Sequence, residues 1–176
     1  MKKIRGGGEL PPKPTSIQLM KGFVGGTLGI LILGIMGQTT GIPWLMAPFG
    51  ATCVILFAAP SSPLAQPRNV IAGHLITSAV GLAALYGLGN SVWVIALSVG
   101  VAIMLMQYLR AVHPPAGANP IVIMLAGQSA VGFDYLVTPT LIGSITLVML
   151  ASVVNNYGEE SNWPVYWHGL GRKKRQ

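Results

Sequence analysis

Between residues 18 and 156 the chain carries only four charged side chains, Lys21, Arg68, Arg110 and Asp134. A water-soluble domain spends about a quarter of its residues on charge. A stretch this poor in charge lacks the polar surface to face water on all sides. Lipid resolves the conflict, because apolar side chains then point outward as well as inward while the backbone satisfies itself within helices. The whole chain of 176 residues agrees, with 52% hydrophobic and 9% charged residues and a mean hydropathy of +0.61. The sequence therefore predicts an all-α polytopic membrane bundle, most of it within the bilayer.

Residues 1–16 hold Gly6-Gly7-Gly8, four basic side chains and Pro11, Pro12 and Pro14, which reads as a flexible basic tail. Residues 17–156 form the membrane domain, and 157–176 a second basic tail. Apolar segments fall at about 18–37, 44–59, 69–88, 92–112, 120–127 and 138–156. A crossing helix needs roughly 20 residues, within about 17–25. The first, third, fourth and sixth segments meet that; the second and fifth are short and interrupted by proline. With six crossings and a cytosolic N-terminus, Arg68, Arg110 and the Arg172–Arg175 cluster share the cytosolic side. The opposite connections, near 38–43, 89–91 and 128–137, hold no Lys or Arg. The positive-inside rule then places both termini in the cytoplasm of an inner or plasma membrane protein. The first apolar stretch is long enough to be retained rather than cleaved as a signal.

The net charge of +7 sits in the tails and at span ends. That distribution suits contact with anionic lipid and leaves no module for reading nucleic acid. Cys53, the single cysteine, cannot form an intrachain disulfide. Gly22, Gly25, Gly26 and Gly29 permit close helix contact, within the chain or in a homodimer. Trp44, Trp93, Trp163 and Trp167 fall near span ends, as an aromatic belt would.

The two short segments carry related strings. One reads Pro48-Phe49-Gly50-Ala51-Thr52-Cys53, the other Pro115-Ala116-Gly117-Ala118-Asn119-Pro120, and a short apolar run follows each. With similar flanking spans, this predicts two three-segment repeats, roughly 18–88 and 92–156, inverted relative to each other. Paired interrupted segments in two halves point to a transporter's binding site. Proline and glycine are expected to break both segments, at Pro48-Gly50 and at His113-Gly117. Thr52 and Asn119 are then N-cap candidates for helices that restart at mid-depth. Each restart offers unpaired N–H groups and the positive end of a helix dipole, which suits a small anion. The candidate binding set is Gly50, Ala51, Thr52, Cys53, His113, Gly117, Ala118 and Asn119. The bland reading is that both breaks only allow tight packing.

His74 lies within the third span and His113 at the break; either can donate to an anion or carry a proton. Arg68 and Arg110 suit lipid phosphates, with a second reading as attractors at a pore mouth. His74, Arg68 and Arg110 are thus candidates for gating or proton coupling. His168 and Asp134 have no expected site role. The residues build no metal site, no cofactor site and no catalytic constellation.

The string His113-Pro114-Pro115-Ala116-Gly117 resembles the signature of the HPP family of integral membrane proteins. Pro48-Phe49-Gly50-Ala51-Thr52, continuing through Ser61-Ser62-Pro63-Leu64-Ala65-Gln66-Pro67-Arg68-Asn69 to Gly73-His74, is similar to its other hallmark. The resemblance covers about residues 18–156. Members are commonly described with four spans, and those of chloroplasts and cyanobacteria are linked to nitrite transport. The resemblance therefore implies a carrier for nitrite or a similar small anion. A non-transporting assembly subunit is the alternative, with a membrane enzyme behind it.

Overall fold

The protein is described by a computed structural model over residues 10–158 and 162–167. The tail at 1–9, Glu159, Glu160, His168 and the basic cluster at 172–175 lie outside the described residues. Among the described residues six α-helices follow one another: α1 (Ser16–Thr40), α2 (Ala47–Ala58), α3 (Pro67–Leu88), α4 (Val92–Tyr108), α5 (Asn119–Ala126) and α6 (Ile142–Asn155). Short 3-10 turns occupy Pro63–Ala65, Pro114–Ala118 and Phe133–Leu136, and an irregular turn at Val137–Leu141 leads into α6. No strand occurs among the described residues. Among the described residues three helical stretches are long and apolar enough to cross a membrane: Ser16–Thr40, Pro67–Leu88 and Phe133–Asn155.

Local chemistry sets the helix ends. Thr15 Oγ1 accepts from Gln18 N, and Gln18 Oε1 accepts from Thr15 N, a reciprocal cap at the start of α1. Gly41, at φ 72°, closes its other end. α3 opens on Pro67, where the missing N–H needs no partner.

Hydrogen bonds define the two ends of the bundle. At one, Lys21 Nζ donates to Asn155 O at 2.8 Å and Asn155 Nδ2 to Leu56 O at 3.1 Å. There too Asn69 Nδ2 reaches Val112 O and Arg68 Nη2 reaches Leu109 O, each at 2.9 Å. At the other, Gln128 Nε2 donates to Leu85 O and Tyr86 OH to Val131 O, each at 2.9 Å. Tyr135 OH meets Met46 Sδ there as well. Successive helices therefore alternate between the ends, α2 and α5 included. Lys21, Arg68 and Arg110 share the first, basic end, and Asp134 lies at the opposite one. α1 packs on α2 and α6; α4 packs on α5 and α3. The core of Leu33, Phe49, Leu56, Leu82, Ile123 and Leu147 sits where these helices meet.

Several expectations change. Pro48 and Gly50 do not break α2, which runs unbroken from Ala47 to Ala58. Proline in the first turn forfeits no helical hydrogen bond, so the helix simply begins there. Thr52 is accordingly inside α2 and does not cap it. Asn119 takes helical angles as the first residue of α5 and makes no cap bond. Trp44 and Trp163 are buried, so only Trp93 and Trp167 suit a belt. Residues 162–167, within the expected polar tail, pack on the bundle, where Val165 N donates to Gln66 Oε1 at 2.8 Å and Tyr166 OH reaches Asn69 Oδ1 at 2.9 Å. The break at His113-Gly117 is present, as extended chain at His113 followed by the 3-10 turn.

Adjacent glycines on α1 give a test of this packing. A Cβ on Gly25 would press into the Phe57 ring, whereas a Cβ on Gly26 meets nothing within 4 Å. Gly25→Ala should lose about 1–3 kcal/mol to overpacking. Gly26→Ala should stay neutral or gain up to about 1 kcal/mol from helix propensity. Thermal unfolding of both variants in detergent checks the contrast, and equal behaviour would contradict this placement of α1.

Candidate functional site

α3 is the backbone of the site. Its 22 residues span about 33 Å at 1.5 Å per residue. His74, Thr77 and Ser78 stand at helical spacings of three and four and so share one face. All three are fully buried. His74 lies about 10 Å, and Ser78 about 16 Å, along α3 from Pro67. Two glycines on the same helix admit the broken segment. A Cβ on Gly73 would lie 2.8 Å from His113 Cβ, and one on Gly81 2.9 Å from Pro120 Cα. The chain from His113 to Pro120 therefore lies directly on α3.

The second element is α2. Beginning at Ala47 rather than later, it carries Thr52 in its second turn, facing α3. Thr52 Oγ1 lies 2.8 Å from His74 Nε2, 2.9 Å from His113 Nε2 and 3.0 Å from Pro48 O. His113 Nδ1 lies 2.8 Å from Leu64 O. On the far side of His74, Asn119 Nδ2 lies 3.1 Å from His74 Nδ1, 3.1 Å from Thr77 Oγ1 and 2.9 Å from Ser78 Oγ. Ser78 Oγ in turn meets Thr140 Oγ1 at 3.1 Å. The Phe49 ring stands edge-on to His74, 5.0 Å between centroids, and closes one wall. A polar column thus runs from the Leu64 carbonyl near the basic end to Thr140 at mid-depth.

Donor and acceptor counting fixes the protons in this column. A carbonyl only accepts, so His113 Nδ1 carries a hydrogen toward Leu64 O. In the neutral ring His113 Nε2 then accepts, and Thr52 donates to it. Thr52 Oγ1 in turn accepts from His74 Nε2–H, leaving His74 Nδ1 to accept from the Asn119 amide. Every bond points the same way, from Asn119 through His74, Thr52 and His113 to Leu64. The two rings are opposite tautomers, assigned by the network. Only Asn119 Oδ1 within this column is buried without a partner.

Of the residues singled out in the sequence, Thr52, His74, His113 and Asn119 come together. Cys53 faces α1 instead, its Sγ 3.0 Å from where a Cβ on Gly29 would stand. Gly50 and Gly117 are half-buried with open space beside them; Ala118 is half-buried and Ala51 exposed. Arg68 and Arg110 stay outside the column at the basic end. Arg68 caps the end of α4 through Leu109 O, and Arg110 is exposed with φ 55°. Thr77, Ser78, Thr140 and the Leu64 carbonyl were not anticipated. The spacing of Thr77 and Ser78 from His74 was a usable signal; Thr140 and Leu64 gave none. Among the described residues no three His, Cys, Asp or Glu side chains gather as a metal site would require. Two apolar grooves, of about 580 Å³ between α1 and α6 and about 290 Å³ between α3 and α4, lie on outer faces away from the column.

Residues 11–164 match the family description "HPP, transmembrane region". The chain belongs to the HPP family. Among its relatives is a transmembrane protein of Dictyostelium discoideum, 33% identical over 175 residues, which cover 94% of this chain and 56% of that protein. A second transmembrane protein of the same organism is 35% identical over 166 residues, covering 89% of this chain and 58% of its own. The HPP chain thus spans little more than half the length of these relatives. No solved structure matches it. The matched region takes in every helix and the whole polar column, so this is an HPP membrane protein whose family region contains the site.

Removing the Asn119 amide should expose how much the column contributes. Asn119→Ala leaves the buried His74 Nδ1 and Ser78 Oγ short of a donor, a loss of about 1–3 kcal/mol. Chemical or thermal denaturation in detergent measures it. A variant as stable as the native protein would show that the column is not held as described.

Proposed function

We propose that this HPP protein moves a small inorganic anion, of the nitrite class, across an inner or plasma membrane with both termini in the cytoplasm. One observation carries the reading: a column of buried hydroxyl, amide and imidazole groups penetrates to mid-depth in a bundle otherwise made of apolar side chains. Polar groups at membrane depth are costly and mark solute or proton pathways. The arginines near its basic end add positive potential where an anion would enter. The Pro-x-Gly-Ala strings flank the column with backbone that side chains do not cover, at Gly50 and Ala51 and at Gly117 and Ala118. Helix α5 begins beside the column, so its dipole contributes there without a side-chain charge.

The packing of α1 on α2 and α6, mirrored by α4 on α5 and α3, supports reading the chain as two inverted repeats. A homodimer accords with a bundle this small. Moving one negative charge inward against 100 mV costs about 2.3 kcal/mol, so uptake calls for a co-transported proton, whereas export proceeds without one.

The column is closed by its own side chains, and that favours a second reading, an assembly subunit that conducts nothing. Flux separates the two. Purified protein in liposomes should carry nitrite saturably, and the Thr52→Val plus Asn119→Leu double variant should lose at least about tenfold of that rate. Arg68→Gln with Arg110→Gln should weaken apparent affinity more than maximal rate. No saturable flux of nitrite or any other small anion would overturn transport. Flux untouched by the column variants would move the pathway elsewhere.

A further inference from the structure

The Thr52 hydroxyl has more acceptors within reach than it has protons. Its single hydrogen can point at His113 Nε2, 2.9 Å away, or at Pro48 O, 3.0 Å away. With the hydrogen on His113 the column is complete and both rings are neutral, as counted above. With the hydrogen on Pro48 O, both lone pairs of Oγ1 are free to accept, one from His74 Nε2–H and one from His113 Nε2–H. His113 then carries hydrogens on both nitrogens, with Leu64 O and Thr52 Oγ1 as their acceptors. This second arrangement is equally complete, and it holds one more proton.

We propose that the column is a binding site for a single proton, carried by His113, with the Thr52 hydroxyl as the rotor that accommodates it. The step forms one N–H bond, at His113 Nε2. The proton comes from water at the basic end, and the Thr52 hydrogen turns to Pro48 O without leaving its oxygen. His74 is the wrong carrier. With the Asn119 amide nitrogen held on Thr77 Oγ1 and Ser78 Oγ, a hydrogen added at His74 Nδ1 would face the amide hydrogens, donor against donor. Thr52 is thus a positioning residue, and the asymmetry between the two histidines follows from what each meets on its outer nitrogen.

The charged and titratable groups around His113 are few. α3 contributes His74, ring centroids 5.1 Å apart, and Arg68, which is held on Leu109 O. The connection after α4 contributes Arg110. The described part of the C-terminal segment contributes Tyr166, bonded to Asn69. α2 contributes none on this face, and among the described residues no Asp or Glu lies on the elements packed around the ring. Among the described residues the added positive charge therefore has no carboxylate to pair with. The complementary charge is the transported anion itself, so proton and anion would cross together without net charge. That use rests on the transport reading above; the proton site does not.

The test needs no flux. Protein labelled with nitrogen-15 in histidine, in lipid vesicles, is followed by solid-state NMR from neutral pH down to the lowest pH at which the fold persists, with His74→Gln and His113→Gln for assignment. At neutral pH His113 should carry its hydrogen on Nδ1 and His74 on Nε2. On acidification His113 should become the doubly protonated ring while His74 keeps its tautomer. Thr52→Ser should reproduce this; Thr52→Val should give no doubly protonated His113 at the pH where the native protein does. Titration of His74 first, of both rings together, or of neither while the fold persists would overturn the proposal. So would Thr52→Val behaving as native. If the NMR pattern appears and liposomes show no anion flux, the proton site stands and the transport reading falls.

Discussion

Inside a bilayer a polar atom has no water to fall back on, and the rest of this structure follows from that. Thr52 stands at the junction: one hydroxyl holds two imidazoles from different elements, while its own helix offers it a carbonyl as an alternative. Helix α2 must begin early enough to bring Thr52 to α3. The chain after α4 must lie flat enough to bring His113 to the same oxygen. Gly73 and Gly81 serve that second requirement by letting backbone lie on α3. The core of leucines and phenylalanines could be built in many ways; the hydrogen-bonded column admits few, because each member must meet partners from other elements at once.

Much of this was legible before any coordinates. Charge depletion and apolar runs located all six helices, because hydrophobic length is the quantity that lipid selects. The repeated Pro-x-Gly-Ala strings pointed to Thr52 and Asn119, and the two histidines were picked out as polar groups at depth. All four meet in the structure. The structure overturns only the cap roles expected of Thr52 and Asn119, because a proline can end one helix or begin another. At Pro48 it begins one, which turns Thr52 from a cap into an interior side chain. Asn119 went the same way: its amide finds partners on α3 that outweigh a cap bond. Partners distant in sequence, such as Leu64 O or Thr140, carry no local signal at all.

The buried tryptophans show a related limit. Trp44 lies near a span end in sequence, as an interfacial residue should, yet its indole is enclosed and donates to Thr40 Oγ1 at 2.8 Å. Position along the chain places a residue near a span end but does not say whether it faces lipid or the neighbouring helices, and Trp44 faces the helices. The segment at 162–167 makes the same point from the other side, since composition marked it as polar tail while its backbone and Tyr166 bind the connection before α3.

The shortness of α2 has an electrical consequence. Its 12 residues make about 18 Å of helix, where hydrocarbon is about 30 Å thick. With the 8 residues of α5, it leaves the helical wall beside the column short of the hydrocarbon thickness, so the potential gradient should be steeper around Thr52 than along the full length of α3. A charge displaced by a few ångströms there would then sample a larger share of the membrane voltage than the same displacement beside a full-length helix.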